Sequence, residues 1–399
     1  MFKDILHEQL GSWPLGYIPY GGADYGEVAR IADSVGTGDD GAFYQAWRAA
    51  AERRMAEAQA ALERGHPHSA REAFLRAACF YGKSFHPLYG DPVDARLLEG
   101  ARRQYHAFEL ALALGEEPAL PLHIPFEGQT LPAWLIPACG AASGRRPLIV
   151  FTNGYDGTIT DLYFGCAVAA ARRGYHSLIF DGPGQGSMLF AHGLRMRPDW
   201  ETVIAAVLDL ALELPVVDRE RVALSGISLG GYLAPRAAAW EPRLAACIAD
   251  PGQTSPADGF RAAVIALGAS PEQARRLGEL PQDIVERMAQ MVNADRKLRW
   301  SIVQRGFWVH GVDNLRAYLA SIEQFTLAGR VGQIRCPTLV TQAQDDPIAA
   351  GAEAFYDALT CRKTLLRFGA ADGAGGHCEM MNRSLLNRRV LDWLDEVFN

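Results

Sequence analysis

The chain has 399 residues, 49% of them hydrophobic and 21% charged, with 40 Gly and 22 Pro. That balance excludes collagen-like, low-complexity and fully disordered chains, and a chain of this length buries roughly 75% of its unfolded surface without a disulfide or metal staple. The formal net charge of −7, from 46 acidic against 39 basic residues, leaves no basic footprint for nucleic acid.

The first 115 residues or so read as helical. Ala42 to Arg64 is dense in Ala, Glu, Arg and Met and stops at Gly65 and Pro67. Ser69 to Phe85 places Ala73, Phe74, Ala77, Ala78 and Tyr81 on one stripe, the spacing of an amphipathic helix. Val93 to Leu114 forms a third helix ending at Gly115. Short connections predict antiparallel packing.

After Pro118 the grammar changes. Leu122 to Phe126 and Thr130 to Ile136, split by Glu127-Gly128-Gln129, predict a β-hairpin. Strands and helices then alternate: strand Pro147 to Thr152, helix Leu162 to Arg173, strand Ser177 to Phe180, helix Glu201 to Leu214, strand Arg221 to Gly226, helix Leu229 to Trp240, strand Leu244 to Ala249. A helical stretch from about Ser255 to Gly329 interrupts, strands Pro337 to Gln342 and Thr364 to Phe368 resume, and helix Ser384 to Phe398 closes the chain. Such alternation predicts an α/β fold, a mostly parallel sheet flanked by helices. The expected division is a helical cap over residues 1–118 and a catalytic domain over 119–399, with a lid insertion at about 255–329.

The sharpest motif is Gly226-Ile-Ser228-Leu-Gly230-Gly231, directly after a strand pattern and before a helix pattern. G-x-S-x-G in that context predicts a nucleophile elbow, in which Ser228 projects from a strained turn and the Leu229 N–H faces the reacting oxygen. Such a serine needs a base, and the base an orienting acid, following in the order acid then base. His377, in Gly375-Gly376-His377-Cys378, is the one histidine beyond residue 310, and its Gly-rich loop precedes the last helix. The acid falls at Asp345 or Asp346, after the strand ending at Gln342, with Asp346 the chosen register. Phe151-Thr-Asn153-Gly154-Tyr155-Asp156-Gly157 supplies the second oxyanion donor, the Tyr155 N–H. Asp156 either caps the turn before Gly157 or points at substrate. Phe180-Asp-Gly-Pro-Gly-Gln-Gly186 lacks the Lys-Ser/Thr ending of a phosphate loop and reads as a tight structural turn.

Seven cysteines, Cys79, Cys139, Cys166, Cys247, Cys336, Cys361 and Cys378, are odd in number with no close pair, which predicts free thiols in a reducing compartment. The N-terminal Met1-Phe-Lys-Asp-Ile-Leu-His-Glu8 is charged where a signal peptide is apolar, and no 18-residue apolar run occurs. No His/Cys/Asp cluster has metal-ligand spacing. A cytoplasmic protein is expected, homodimeric, with no membrane, nucleic-acid, metal or cofactor partner.

Taken together, Ile124-Pro-Phe-Glu-Gly128, Asn153-Gly-Tyr-Asp-Gly157, Phe180-Asp-Gly-Pro-Gly-Gln-Gly186, Gly226-Ile-Ser-Leu-Gly-Gly231 and Gly376-His-Cys378, with the helical N-terminal third, resemble one branch of the α/β-hydrolases. That branch includes 2,6-dihydroxypseudooxynicotine hydrolase and the pigment-pathway hydrolases that shorten aromatic polyketides. Phe307-Trp-Val-His310-Gly-Val312 is similar to the lid of the shortening members. The resemblance implies a cofactor-free Ser228, Asp346, His377 triad that cleaves a carbon–carbon bond beside a ketone in an aromatic or polyketide-like small molecule. Esterase-like members share the motifs, so a carboxylesterase or lactonase is the alternative. Tyr155, Asp156, Trp308 and His310 are the candidate walls of an aromatic pocket, enclosed by the N-terminal helices, with Phe74, Phe80, Tyr81, Phe85, Tyr105 and Phe108, and by the insertion.

Overall fold

The computed structural model describes residues 1–140 and 144–399. Eight strands form one sheet: β1 (Leu120–Phe126), β2 (Gln129–Ile136), β3 (Arg146–Thr152), β4 (His176–Phe180), β5 (Val217–Ile227), β6 (Ala246–Asp250), β7 (Thr338–Ala343) and β8 (Lys363–Phe368), in spatial order β1-β2-β4-β3-β5-β6-β7-β8. β1–β2 and β2–β4 are antiparallel and the other neighbours parallel. The difference follows from burial. Residues of β4 and β6 are buried throughout, as helices covering both faces require, whereas β1 alternates exposed and buried residues, as an edge hairpin with one wet face does. Phe126 pairs with Gln129, so the hairpin turn is the two residues Glu127 and Gly128, both at positive φ (46° and 77°), the geometry of a type I′ turn.

Five helices precede the sheet: α1 (Ile5–Gly11), α2 (Tyr25–Val35), α3 (Asp40–Glu63), α4 (Pro67–Ser84) and α5 (Ala95–Ala113), with a 3₁₀ segment over Trp13–Tyr20. Asp39 caps α3 by accepting from the Ala42 N–H, and Asp94 caps α5 through the Arg96 N–H. The three helices read from sequence thus stand, and α1, the 3₁₀ segment and α2 are additional.

The aromatic set of these helices is core. Phe74, Phe80, Tyr81, Phe85 and Phe108 are each at most 2% exposed. The Phe108 ring meets Tyr163 edge-on at 5.1 Å and Trp134 at 6.2 Å, and Tyr17 stacks on Phe164 at 5.6 Å. One apolar cluster therefore runs from α1 through the sheet to the last helix, Arg383–Phe398. Between β6 and β7, helical segments spanning Asp258 to Ile322 form an insertion with a second apolar cluster, centred on Val264, Leu277, Met288 and Leu319. Among the described residues no helix is long and apolar enough to cross a membrane.

Candidate active site

β5 runs straight into Ser228, whose φ is +61°, a conformation an L-residue holds only when its surroundings over-determine it. The turn is set by close backbone approach: a Cβ on Gly226 would collide with the Gly230 carbonyl, and one on Gly231 with the Pro251 carbonyl. The Ser228 N–H donates to the Asp250 carbonyl at the end of β6 (2.6 Å). Gln253 Nε2 holds the Ser228 carbonyl at 2.7 Å.

Beyond β7, Asp346 caps the 3₁₀ turn Pro347–Gly351, its Oδ1 accepting from the Ile348 N–H at 3.0 Å. Its Oδ2 lies 2.8 Å from His377 Nδ1, and His377 Nε2 lies 3.0 Å from Ser228 Oγ. The structure thus brings Ser228, His377 and Asp346 into one hydrogen-bonded chain. Asp345 is exposed instead, its carboxylate beside Gly375. Burial works to lower the His377 pKa. The hydrogen bond that Nδ1 donates to Asp346 and the charges of Asp346, Asp250 and Asp156 outweigh it, and the imidazole is held above its ordinary 6.5. The His377 side chain remains 30% exposed.

The loop after β3 approaches the elbow closely. A Cβ at Gly154 would sit 2.8 Å from the Leu229 nitrogen and 2.9 Å from Ser228 Cβ. Neither the Leu229 nor the Tyr155 amide donates a hydrogen bond among the described residues. Two unpaired donors beside the serine are what an oxyanion requires. Gln185 braces this loop, its Nε2 donating to the carbonyls of Asn153 (2.7 Å) and Gly154 (3.2 Å). The Phe180–Gly186 turn is structural, as its sequence suggests, and Gln185 is what it contributes.

Asp156 does not stand uncompensated beside these amides. Its Oδ2 accepts from Arg305 Nη1 at 2.6 Å, and its backbone carbonyl meets His86 Nε2 and Tyr89 Oη, each at 3.1 Å. Tyr155 Oη is 2.7 Å from His310 Nε2, and His310 Nδ1 is 2.8 Å from Ser321 Oγ. Burial, then the Arg305 charge, pushes His310 down to about 3. Neutral His310 therefore offers one donor and one acceptor, and pins the Tyr155 ring to the insertion.

Trp308 is placed differently from its sequence expectation. It is 2% exposed, stacked on Phe190 at 5.8 Å and edge-on to Tyr89 at 5.5 Å, so it packs the seam between the N-terminal helices and the insertion. An indole this large gains more from a closed aromatic cluster than from a wet wall. A groove of about 900 Å³ on that seam, lined by Asp39, Asp94, Gln304 and Trp308, contains none of Ser228, His377 and Tyr155.

Three features carry no local sequence signal. Trp13, from the 3₁₀ segment, stands with its ring 6.3 Å from that of His377. Arg305 pairs with Asp156. Beneath the site, Asp250 bonds Thr341 Oγ1 (2.9 Å) and Arg383 Nη1 (2.8 Å), and Arg383 also donates to the Cys378 carbonyl (2.8 Å). That clamp secures Cys378 and Glu379, both at positive φ (53° and 49°). The Cys378 sulfur is 3.4 Å from His377 Nε2, but burial, with Asp250 and Asp346, drives its pKa far up. It stays a thiol and a poor nucleophile.

Residues 149–385 match the model of the Alpha/beta hydrolase family. The chain is 33% identical to Hydrolase acrC of Aspergillus aculeatus over 95% of this chain and 94% of that one. It is 32% identical to 20-hydroxy-prefusarin hydrolase FUS2 of Gibberella moniliformis over 96% and 94%. The crystal structure of the 2,6-dihydroxy-pseudo-oxynicotine hydrolase is similar in fold, with a TM-score of 0.74 and 22% identity over 96% of this chain and 95% of that one. On the strength of the family match, the full-length relatives and the sheet order, the chain belongs to the alpha/beta hydrolase family.

Proposed function

We propose that this hydrolase cleaves a carbon–carbon bond adjacent to a ketone in an aromatic or polyketide-like substrate, with Ser228 as nucleophile, His377 as base and Asp346 as its orienting acid. The observation that carries the reading is the continuous chain Ser228 Oγ–His377 Nε2 (3.0 Å) and His377 Nδ1–Asp346 Oδ2 (2.8 Å), set beside two unpaired amides. Choice of bond rests on the motif resemblance to ketone-cleaving hydrolases.

In this reading Ser228 Oγ attacks the ketone as His377 Nε2 takes its proton, and Asp346 stabilises the imidazolium. The Leu229 and Tyr155 amides hold the oxyanion. Collapse breaks the bond to the α-carbon, whose electron pair leaves as an enolate and takes the proton back from His377. Water then releases the acyl group from Ser228 by the same base. Residues 1–118 serve as a cap and the insertion as a lid. The unpaired cysteines support a reducing, cytoplasmic setting.

The test is a matched pair: an aromatic 1,3-diketone and the p-nitrophenyl ester of the same aryl acid. The diketone should be turned over with kcat/KM on the order of a thousandfold higher, because binding energy is spent on the transition state the site is built for. Saturable ester turnover with the diketone untouched would make the enzyme a carboxylesterase or lactonase.

A further inference from the structure

Arg305 projects from a π-helical turn, Arg299–Gly306, whose i→i+5 bonding sets residues five apart beside one another. Its guanidinium carbon is accordingly 5.2 Å from the Trp300 ring and, on the facing loop, 4.6 Å from the Tyr155 ring. Two aromatic faces therefore fix the plane of the cation. Only Nη1 is used, in the 2.6 Å bond to Asp156 Oδ2. Nε is buried without a partner, as is Asp156 Oδ1, and Nη2 makes no hydrogen bond among the described residues. A guanidinium placed only to strut the insertion would pair its fork with both carboxylate oxygens, since the bidentate arrangement is the stronger. Here a costly desolvated cation is held with donors idle. Its setting supplies the reason. Tyr155 links two sets of free donors: its amide lies on the loop that approaches the elbow, and its ring carries Arg305. The first is neutral and suits a reacting carbonyl. The second is cationic.

We propose that Arg305 is a specificity-determining residue that binds the second carbonyl oxygen of a 1,3-dicarbonyl substrate in its diketo form, the one on the fragment that leaves as an enolate. The inference rests on the Ser228 reading for the place of the first oxygen. When the bond between the attacked carbon and the α-carbon breaks, its electron pair becomes the C=C of the departing enolate, and the π pair of the second carbonyl moves onto that oxygen. The charge thus develops at the Nη2 and Nε side of Arg305, which donates to it until His377 returns its proton to the α-carbon. A simple monoester has no such second oxygen.

Binding is read by calorimetry in the Ser228→Ala protein, where the bond-breaking step is removed. The probes are 5-phenylcyclohexane-1,3-dione, ionised at neutral pH, its neutral O-methyl enol ether, and 3-phenylpropanoate as the carboxylate arm. The dione should bind at least about tenfold more tightly than the ether and more tightly than the carboxylate, and Arg305→Met in the same background should bring dione and ether within about twofold. Equal binding of dione and ether, a preference that survives Arg305→Met, or a carboxylate bound as tightly as the dione would each overturn the proposal. If circular dichroism shows Arg305→Met unfolded, Arg305→Lys decides, because it keeps the charge and loses the planar fork: the preference should fall at least about threefold, and an unchanged preference overturns the assignment. Retained diketone turnover by the Ser228→Ala protein would refute the nucleophile instead, a separate result.

Discussion

The N-terminal helices and the insertion both reach the site, yet they are joined to the sheet in different ways. The helices share one apolar cluster with the sheet, and their polar tie is itself buried: Lys83 Nζ on α4 lies 2.7 Å from Asp161 Oδ1, with the two side chains 5% and 8% exposed. Tyr17 Oη donates to the same carboxylate oxygen at 2.9 Å. The insertion keeps its own cluster and is fastened by Trp300 and Trp308, which join the main core, by the Arg305–Asp156 pair and the His310–Tyr155 bond at the site, and by ion pairs nearer the surface, Arg296 with Asp4 (3.0 Å) and Asp40 (2.5 Å). A cover that shares the core folds and unfolds with it, whereas one with a private core can open while the rest stays native. In the proposed reading the two covers do different work: the helices build the site, and the insertion is the lid that admits substrate to it.

Truncation should have the greatest consequence. A chain starting at residue 116 would expose the partners of Phe108 and Tyr17, and we expect it to show no cooperative thermal transition by circular dichroism. A soluble, cooperatively melting truncation would mean that the helices are a separable domain. Next in size is Lys83→Met, which leaves Asp161 as an unpaired buried charge and should cost about 3–5 kcal/mol in urea denaturation. Replacing both partners by apolar residues should recover part of that loss.

The same pair makes the stability of the helical cover depend on pH. Burial opposes the ionised form of Asp161, but Lys83, then His86 and the surrounding hydrogen bonds, prevail and bring its pKa down to about 2 from an ordinary 3.8. A depressed carboxyl contributes stability that is fully present above 3.8 and lost as pH falls toward 2. Acid titration of unfolding free energy should therefore show a stability loss across that window that is absent from the Lys83→Met protein. The smallest effect belongs to Arg296→Ala. Arg296 is 42% exposed, so global stability should change by no more than about 1 kcal/mol, while hydrogen exchange should quicken across the insertion and not across α4.

What the sequence discloses divides along similar lines. The hairpin, the parallel strands and the elbow are legible because each is dictated locally: alternation in β1, continuous burial in β4, and two glycines whose Cβ positions are filled by backbone. The acid is half legible. Two adjacent carboxylates satisfy the motif equally, and only the cap that Asp346 makes ahead of Pro347 turns its second oxygen toward His377. The Trp13–Tyr20 segment is illegible, since two prolines and a glycine erase any helical period. Its conformation is fixed instead by the approach of Gly16 to the Met380 backbone. The Asp250–Arg383 clamp and the Asp156–Arg305 pair join residues more than a hundred positions apart, with no pattern at either end. Trp308 marks the converse limit: an aromatic beside a site residue in sequence can belong to the core in space.

In the proposed mechanism the acyl half of a ketonic substrate passes through Ser228. Rapid acid quench of the full-length enzyme during turnover of an aryl 1,3-diketone, followed by intact-mass and peptide mass spectrometry, tests it directly. A transient adduct of the aroyl mass is expected on the peptide containing Ser228, formed with release of the methyl ketone fragment and missing from the Ser228→Ala protein. Diketone cleavage by the Ser228→Ala protein at a wild-type rate, with no adduct at any time in either enzyme, would contradict it.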